Sequence, residues 1–235
     1  MKERADGVDF EYEMNVKDGA ADTLVFLHGW GGDLSSFKGA YTYAVGNGFN
    51  AVNFAFPKIV PSEWGIYDYA AFVGKFLCEK SITRPVLIGH SFGGRVAIIL
   101  ASQGIAVKLV LVDSAGMKPR ASLKKKFKIA RYRYRVSRGK PLDGTGSIDY
   151  NNTREDQRGV FVRIVNSHLE NLLAFVKCPT LIVWGKSDKD TPPYMARRLK
   201  RNIAGSRLEY LDGGHYSYID SNYKFLRLLN TFITE

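Results

Sequence analysis

Short apolar runs alternate with longer stretches of helical periodicity along most of this chain. The runs are nearly continuous in apolar residues, as is typical of strands buried on both faces of a parallel sheet. Between them, apolar residues recur at the spacing of an amphipathic helix. This alternation predicts an α/β fold with a doubly wound, mostly parallel sheet. The predicted strands are 23–29, 49–56, 85–91, 107–115, 179–185 and 206–214, and the clearest predicted helices are 67–81, 93–104 and 223–233.

The alternation breaks within residues 116–168. This segment begins with basic residues, continues into the turn-rich stretch GKPLDGTGS and leads into the helical pattern VFVRIVNSHLENLL. We interpret residues 116–168 as an insertion between two strands, with residues 1–115 and 169–235 forming the core. Before Thr23 the pattern predicts one strand, FEYEMNV.

The positive charge of the chain is concentrated in this insertion. The formal net charge is +11, and residues 118–140 contain eleven Lys or Arg and no Asp or Glu, so the remainder is neutral. Two interpretations are open: a solvated face with no specific partner, or a surface that favours anionic substrates or makes weak contact with an anionic membrane. No nucleic-acid recognition motif accompanies the run, so nucleic-acid binding is not predicted. The oligomeric state is not indicated.

The N-terminus and the cysteines bear on the cellular compartment. The first fifteen residues are charged and contain no apolar core of a signal peptide. No apolar run reaches the ~18 residues that span a bilayer. Cys78 and Cys178 lie in apolar surroundings and are expected to be free, buried thiols. We therefore expect a cytoplasmic protein.

The stretch LIGHSFGG (87–94) carries the strongest chemical signal. A predicted strand runs into G-H-S-F-G and a helix follows at once, which is the setting of a nucleophile elbow. Side chains at the flanking glycines would collide with the neighbouring strand and helix. Ser91 is therefore the candidate nucleophile. LHGWGGD (27–33) follows an earlier strand in the same way, and with this nucleophile the N–H groups of Trp30 and Phe92 would form an oxyanion hole.

A serine nucleophile needs a general base, and the chain has four histidines. His28 and His90 lie in turns where we expect them to support local structure, and His168 lies in the insertion. His215, in DGGHYS, follows the last predicted strand on a glycine-rich loop and can reach across to Ser91. It is the candidate base by elimination and by position.

The acid that orients the base should follow the preceding strand. WGKSDKDTPP (184–193) supplies Asp188 and Asp190 there, and the spacing favours Asp188. Asp113, at the end of the strand VKLVLVD, is the alternative acid, although capping of the following turn explains it more simply. The order Ser91, Asp188, His215 is the order of a catalytic triad on an α/β-hydrolase sheet.

Together LHGWGGD, GHSFGG, CPTLIVWGKSDKDTP and GGHYSYID resemble the α/β-hydrolase superfamily over nearly the whole chain. The resemblance implies a sheet of about eight strands, an acyl-serine mechanism, no cofactor or metal, and a lid after the sixth strand, where residues 116–168 fall. The loop AFPKIVPS (55–62) departs from the family pattern D-x-P-G-x-G-x-S. Ala55, Lys58 and Val60 replace the usual Asp and glycines there, so substrate analogies at this loop are unsafe.

Within the basic run, one apolar stripe predicts an amphipathic helix over the acyl pocket. It consists of Leu123, Phe127, Ala130 and Tyr134. We assign His28, Phe127 and Tyr134 to the substrate pocket or the lid.

These observations predict a serine hydrolase that cleaves a carboxylic ester or related acyl compound of small size. The same residues serve C–C bond, thioester or lactone hydrolysis and perhydrolysis, which stay open as alternatives. A non-catalytic ligand-binding protein of this fold is an alternative of a different class. Serine at position 91 argues against dehalogenase and epoxide hydrolase chemistry, which in relatives uses aspartate at the elbow.

Overall fold

The computed structural model describes residues 1–18, 21–120, 131, 134–135, 137–138 and 147–235. Their strands are β1 (Lys2–Ala5), β2 (Val8–Asn15), β3 (Thr23–Leu27), β4 (Asn50–Ala55), β5 (Pro85–His90), β6 (Lys108–Val112), β7 (Thr180–Gly185) and β8 (Arg207–Leu211). These strands form one sheet in the order β1-β2-β4-β3-β5-β6-β7-β8. Strand β2 runs antiparallel to β1 and β4, and all other neighbours are parallel. The predicted mostly parallel sheet is confirmed.

The described α-helices follow the strands in alternation. They are α1 (Lys38–Gly46), α2 (Ile66–Glu79), α3 (Phe92–Ser102), α4 (Ile148–Asn152), α5 (Arg158–Asn166), α6 (Tyr194–Asn202), α7 (Ser217–Asp220) and α8 (Asn222–Thr234). Short 3₁₀ helices occupy Glu155–Gln157 and Glu170–Phe175. None of the helices in these described ranges combines the length and the apolar character that a membrane crossing requires.

The central strands are buried on both faces, which explains their continuous apolar runs. In β3, Val25 and Leu27 belong to the apolar cluster that includes residues of α2 and α3. The alternating residues Leu24 and Phe26 belong to a second cluster, which includes residues of α1 and α8. Successive side chains of β3 therefore pack into two different cores, one on each side of the sheet.

Strand β1 was not predicted from the sequence. It is only four residues long, and its residues Lys-Glu-Arg-Ala show no apolar alternation. It forms because Asp6 and Gly7 both adopt a left-handed backbone, with φ of 51° and 79°, which suits a two-residue hairpin turn. The expectation of a single leading strand was therefore wrong.

The segment between β6 and β7 contains the predicted insertion. Its predicted basic helix, including Phe127, falls largely on 121–130, outside the described residues. The helical pattern over 160–173 forms in two pieces, since α5 ends at Asn166 and a 3₁₀ helix begins at Glu170. Both cysteines are free, but Cys78 is exposed, so its predicted burial was wrong.

Arg95 connects the insertion to the helix that follows Ser91. This buried residue of α3 donates hydrogen bonds to the carbonyl oxygens of Val165 and Ser167, at the carboxyl end of α5. Burial lowers the pKa of its guanidinium to about 10. A cation at a helix carboxyl end is stabilised by the helix dipole, so the contact holds α5 against α3.

Candidate active site

Ser91 lies in a sharp turn between β5 and α3. Its backbone is left-handed, with φ of 48°, which is a strained conformation for a residue other than glycine. A Cβ at Gly89 would approach the carbonyl oxygen of Gly93 to 2.5 Å, and a Cβ at Gly93 would lie closer still to that of Leu27. The expected need for glycines is confirmed, and the turn presents the Ser91 hydroxyl at the carboxyl edge of the sheet.

The structure brings Ser91, His215 and Asp188 into one hydrogen-bonded chain. The Oγ of Ser91 lies 3.0 Å from Nε2 of His215. On the other side of the ring, Nδ1 lies 2.9 Å from Oδ2 of Asp188. Both distances are within the reach needed for proton transfer and for orientation of the ring.

Asp188 is held as a carboxylate by its neighbours. Its Oδ1 accepts hydrogen bonds from the N–H groups of Asp190 and Thr191, and its Oδ2 accepts one from the Thr191 hydroxyl. Burial raises the pKa of this carboxyl, but hydrogen bonds from His215 and Thr191 outweigh burial and leave the pKa below its usual value. Asp190, in contrast, is exposed.

The same contacts favour the protonated form of His215. Burial lowers the pKa of the imidazole, but the hydrogen bond and charge of Asp188, with the charges of Asp113 and Asp190, give a net pKa above its usual value. An imidazole that donates from Nδ1 to Asp188 can accept the Ser91 proton at Nε2.

Asp113 does not hydrogen-bond to the His215 ring. Its Oδ1 accepts from the N–H of Gly185 at 2.7 Å, and its Oδ2 accepts from the N–H and hydroxyl of Ser217 at 3.2 and 2.6 Å. Burial raises the pKa of this carboxyl to about 7. Asp113 therefore fixes the chain two residues beyond His215, rather than capping only the adjacent turn.

His28 and His90 both make contacts to the backbone. In His28, Nε2 accepts from the N–H of Phe56 and Nδ1 donates to the carbonyl of Gly29. Burial lowers the pKa of His28 to about 4, and burial with the neighbouring His215 lowers that of His90 to about 3. Both rings are neutral at ordinary pH. For His90 the partner is distant in sequence: its Nε2 contacts the carbonyl oxygen of His215.

The N–H groups of Trp30 and Phe92 have no acceptor within the described ranges, whereas Ser91, Gly93 and Gly94 all donate to backbone carbonyls. The two residues are close neighbours, since their rings lie 5.3 Å apart in an edge-to-face arrangement. Because neither N–H has a protein acceptor among these residues, both donors are available to a ligand. The oxyanion hole itself stays a prediction.

A cavity of about 490 Å³ opens beside the nucleophile turn. Aromatic side chains form much of its wall, namely Trp30, Phe56, Tyr69, Phe92, Tyr216 and Tyr218, and His28 also lines it. Tyr134 is exposed and is not among its lining residues, so its pocket role stays a prediction.

The insertion supplies cavity residues that sequence reasoning missed. The hydroxyl of Thr153 accepts a hydrogen bond from the indole N–H of Trp30 at 3.0 Å. The side chain of Gln157 exchanges two hydrogen bonds with the backbone of Val60, in the loop that departs from the family pattern. The residues in these contacts lie about a hundred positions apart in the sequence, and no local sequence pattern predicts that they meet.

The carboxylates near His215 could also be considered as metal ligands. Within the described ranges, the ligand atoms of Asp188, Asp190 and His215 lie within 4.8 Å of one another. However, both oxygens of Asp188 already accept hydrogen bonds, one of them from His215. The donor set therefore fits proton transfer better than metal binding.

Comparison with known proteins yields a consistent result. A family model described as "Alpha/beta hydrolase family" matches residues 24–227. The AB hydrolase superfamily protein YisY of Bacillus subtilis is 24% identical over 89% of this chain and 90% of its own length. An acetyltransferase component of the acetoin cleaving system of Cupriavidus necator is 33% identical over 41% of this chain, and the match spans 26% of that protein. The solved esterase of Exiguobacterium antarcticum superposes with a TM-score of 0.76 at 22% identity, over 98% of this chain and 97% of that one, a likeness that shows the fold.

Proposed function

Because the chain belongs to the alpha/beta hydrolase family, we propose that it is a serine hydrolase that cleaves carboxylic esters through an acyl-serine intermediate. The observation that carries this proposal is the chain of contacts from Ser91 through His215 to Asp188, at 3.0 and 2.9 Å. Its esterase and hydrolase relatives support the same reaction class.

In the proposed reaction, Oγ of Ser91 attacks the ester carbonyl while Nε2 of His215 takes its proton. Asp188 holds the ring and stabilises the imidazolium. The N–H groups of Trp30 and Phe92 bind the oxyanion, and each such donor typically lowers the barrier by ~3 kcal/mol. His215 then protonates the departing alcohol. A water molecule, deprotonated by His215, attacks the acyl-serine, and the proton returns to Ser91 as the acid leaves.

The cavity beside Ser91 has the size of a small-molecule site, typically about 300–1,000 Å³. Its aromatic wall suits an acyl group of limited length. C–C bond, thioester and lactone hydrolysis need the same triad and are competing outcomes of a substrate screen. A cytoplasmic location, and a preference for anionic substrates or an anionic membrane through residues 118–140, remain separate proposals.

The test combines an active-site label with an alanine substitution. A fluorophosphonate probe should label the wild type on Ser91, and Ser91→Ala should neither be labelled nor hydrolyse p-nitrophenyl esters. The variant should unfold at the wild-type temperature, because alanine fits the same turn. Near-wild-type hydrolysis by Ser91→Ala would place the nucleophile elsewhere. An unlabelled wild type would favour a non-catalytic ligand-binding protein.

A further inference from the structure

Tyr69, on helix α2, lines the cavity and packs against both residues of the candidate oxyanion hole. The residue is 1% exposed, and it lines the cavity. Its ring lies 5.0 Å from that of Phe92, the residue after the nucleophile, and 6.4 Å from that of Trp30. Tyr69 therefore lies in the cavity wall next to the residue that follows the candidate nucleophile.

The hydroxyl of Tyr69 has no hydrogen-bond partner within the described ranges, although a buried tyrosine hydroxyl usually finds one. The hydroxyl of Tyr218 also lacks a partner, but that atom is sealed from solvent, whereas the hydroxyl of Tyr69 is not. The Tyr69 hydroxyl therefore opens onto the cavity that its ring lines. Burial raises the pKa of Tyr69 well above its usual value, so the group is a neutral donor.

Two polar side chains that the insertion contributes to the cavity wall already have partners. The hydroxyl of Thr153 accepts from Trp30 and donates to the carbonyl of Asp149. The amide of Gln157 is bonded to the backbone of Val60. Around Tyr69 itself the neighbours are aromatic rings, including those of Phe56 and Trp64. The unpaired hydroxyl of Tyr69 thus belongs to a side chain that is surrounded by aromatic rings.

We propose that Tyr69 is a specificity-determining residue, and that the preferred substrates carry a carbonyl, ether or hydroxyl oxygen on the acyl group, which accepts its hydrogen bond. A plain alkyl chain in the same place leaves the hydroxyl buried and unpaired, which carries an energetic penalty. An oxygen-bearing acyl group removes that penalty. This inference rests on the proposed ester hydrolysis at Ser91.

The test compares two esters that share a leaving group and chain length, p-nitrophenyl pentanoate and p-nitrophenyl 4-oxopentanoate. Tyr69→Phe removes one oxygen atom and keeps the ring. It should lower kcat/KM for the 4-oxopentanoate by about tenfold and leave that for the pentanoate unchanged or higher. Because each ester is compared with itself in two enzymes, its intrinsic reactivity cancels.

Tyr12→Phe is the matched control. Tyr12 is also buried, but it lies on β2 against Phe76 and does not line the cavity. This variant should leave the ratio of the two esters at the wild-type value. Thermal unfolding of both variants shows whether the fold is intact.

Equal losses for the two esters in Tyr69→Phe, or no loss for either, would overturn the inference and leave ester hydrolysis standing. A wild type that hydrolyses neither ester and resists the fluorophosphonate label would instead overturn the proposed function. The two failures are therefore distinguishable.

Discussion

The Nε2 atom of His90 donates a hydrogen bond of 2.8 Å to the backbone carbonyl oxygen of His215. The residue before the candidate nucleophile thus holds the backbone of the candidate base. Asp113, directly after β6, accepts hydrogen bonds from the N–H and hydroxyl of Ser217, and the side chain of Asp220 accepts one from the N–H of Gly214. The loop that carries His215 is therefore fixed at three points, while the imidazole remains able to exchange protons.

His90→Leu should lower kcat more than it changes KM. Loss of the contact allows the His215 loop to shift, and a displacement of the base costs about tenfold or more in the chemical step. His90→Gln places an amide donor near the original Nε2 position and should recover part of the loss. Steady-state kinetics on a p-nitrophenyl ester would check this. Equal kcat values for His90→Leu and His90→Gln would mean that the His90 ring supports the His215 loop by packing alone, without its hydrogen bond.

Asp188→Asn should be far more damaging than Asp113→Asn or Asp190→Asn. An amide at the acid position favours the wrong tautomer of His215, which costs roughly 10⁴-fold in the serine protease triad. Asp190 is exposed, and Asp113 makes no hydrogen bond to the ring. The comparison needs kcat/KM for all three variants under one set of conditions. A larger loss in Asp113→Asn would assign the orienting role to the end of β6.

The activity of the wild type should rise with pH through a midpoint above the usual histidine value of about 6.5. Activity requires the neutral imidazole, and the contacts with Asp188, with the charges of Asp113 and Asp190, outweigh burial and raise the pKa of His215. The measurement is the pH profile of kcat/KM with a neutral ester, for which substrate ionisation does not interfere. A midpoint below the usual value would show that burial dominates instead.

Asp113 should make the wild type less stable as pH rises. Burial raises the pKa of Asp113 from 3.8 to about 7 in the folded protein. The folded state therefore retains a proton that the unfolded state has lost, and this favourable contribution, complete below 3.8, disappears as pH increases through about 7. The measurement is the free energy of unfolding of the wild type and of Asp113→Asn, from urea denaturation. The wild-type value minus the variant value should decrease between about pH 4 and about pH 7. A constant difference would mean that Asp113 ionises equally in both states.

Thr153→Val should lower kcat/KM by about tenfold, because it leaves the partly buried indole N–H of Trp30 without its acceptor. Thr153→Ser keeps the hydroxyl and should retain most activity. Similar losses in both variants would point to the lost methyl contact rather than the hydrogen bond. A stability measurement alongside the kinetics separates local displacement of Trp30 from general unfolding.

Most of the sheet and the three residues of the candidate triad could be predicted because their signals are local. A buried parallel strand is a short apolar run, and the elbow around Ser91 needs glycines at fixed offsets. The predicted strand 85–91 and the observed Pro85–His90 differ by one residue. Strand β1 was not predicted, because an exposed edge strand can form without the apolar pattern on which the prediction depends.

The contacts across the site could not be predicted from the sequence. Trp30 meets Thr153, and His90 meets the backbone of His215, across more than a hundred residues in each case. Neither the residue types nor their spacing in the sequence indicates such pairs, because threonine and histidine are also common at positions that have no role in a site. The exposure of Cys78 was missed for a related reason: it lies at the end of α2, beyond the residues that face the core.

Two neighbouring strands end in residues whose backbone is left-handed: Ser91 after β5 and Asp113 after β6, with φ of 48° and 44°. Each such residue costs of the order of 1–3 kcal/mol, which the rest of the fold must offset. Glycine tolerates this conformation without penalty. A population of variants selected for heat resistance alone should therefore accumulate glycine at position 91 and lose the candidate nucleophile. At position 113 the hydrogen bonds that Asp113 accepts from Gly185 and Ser217 oppose the same exchange. Retention of serine at position 91 would therefore require selection on chemistry as well as on stability.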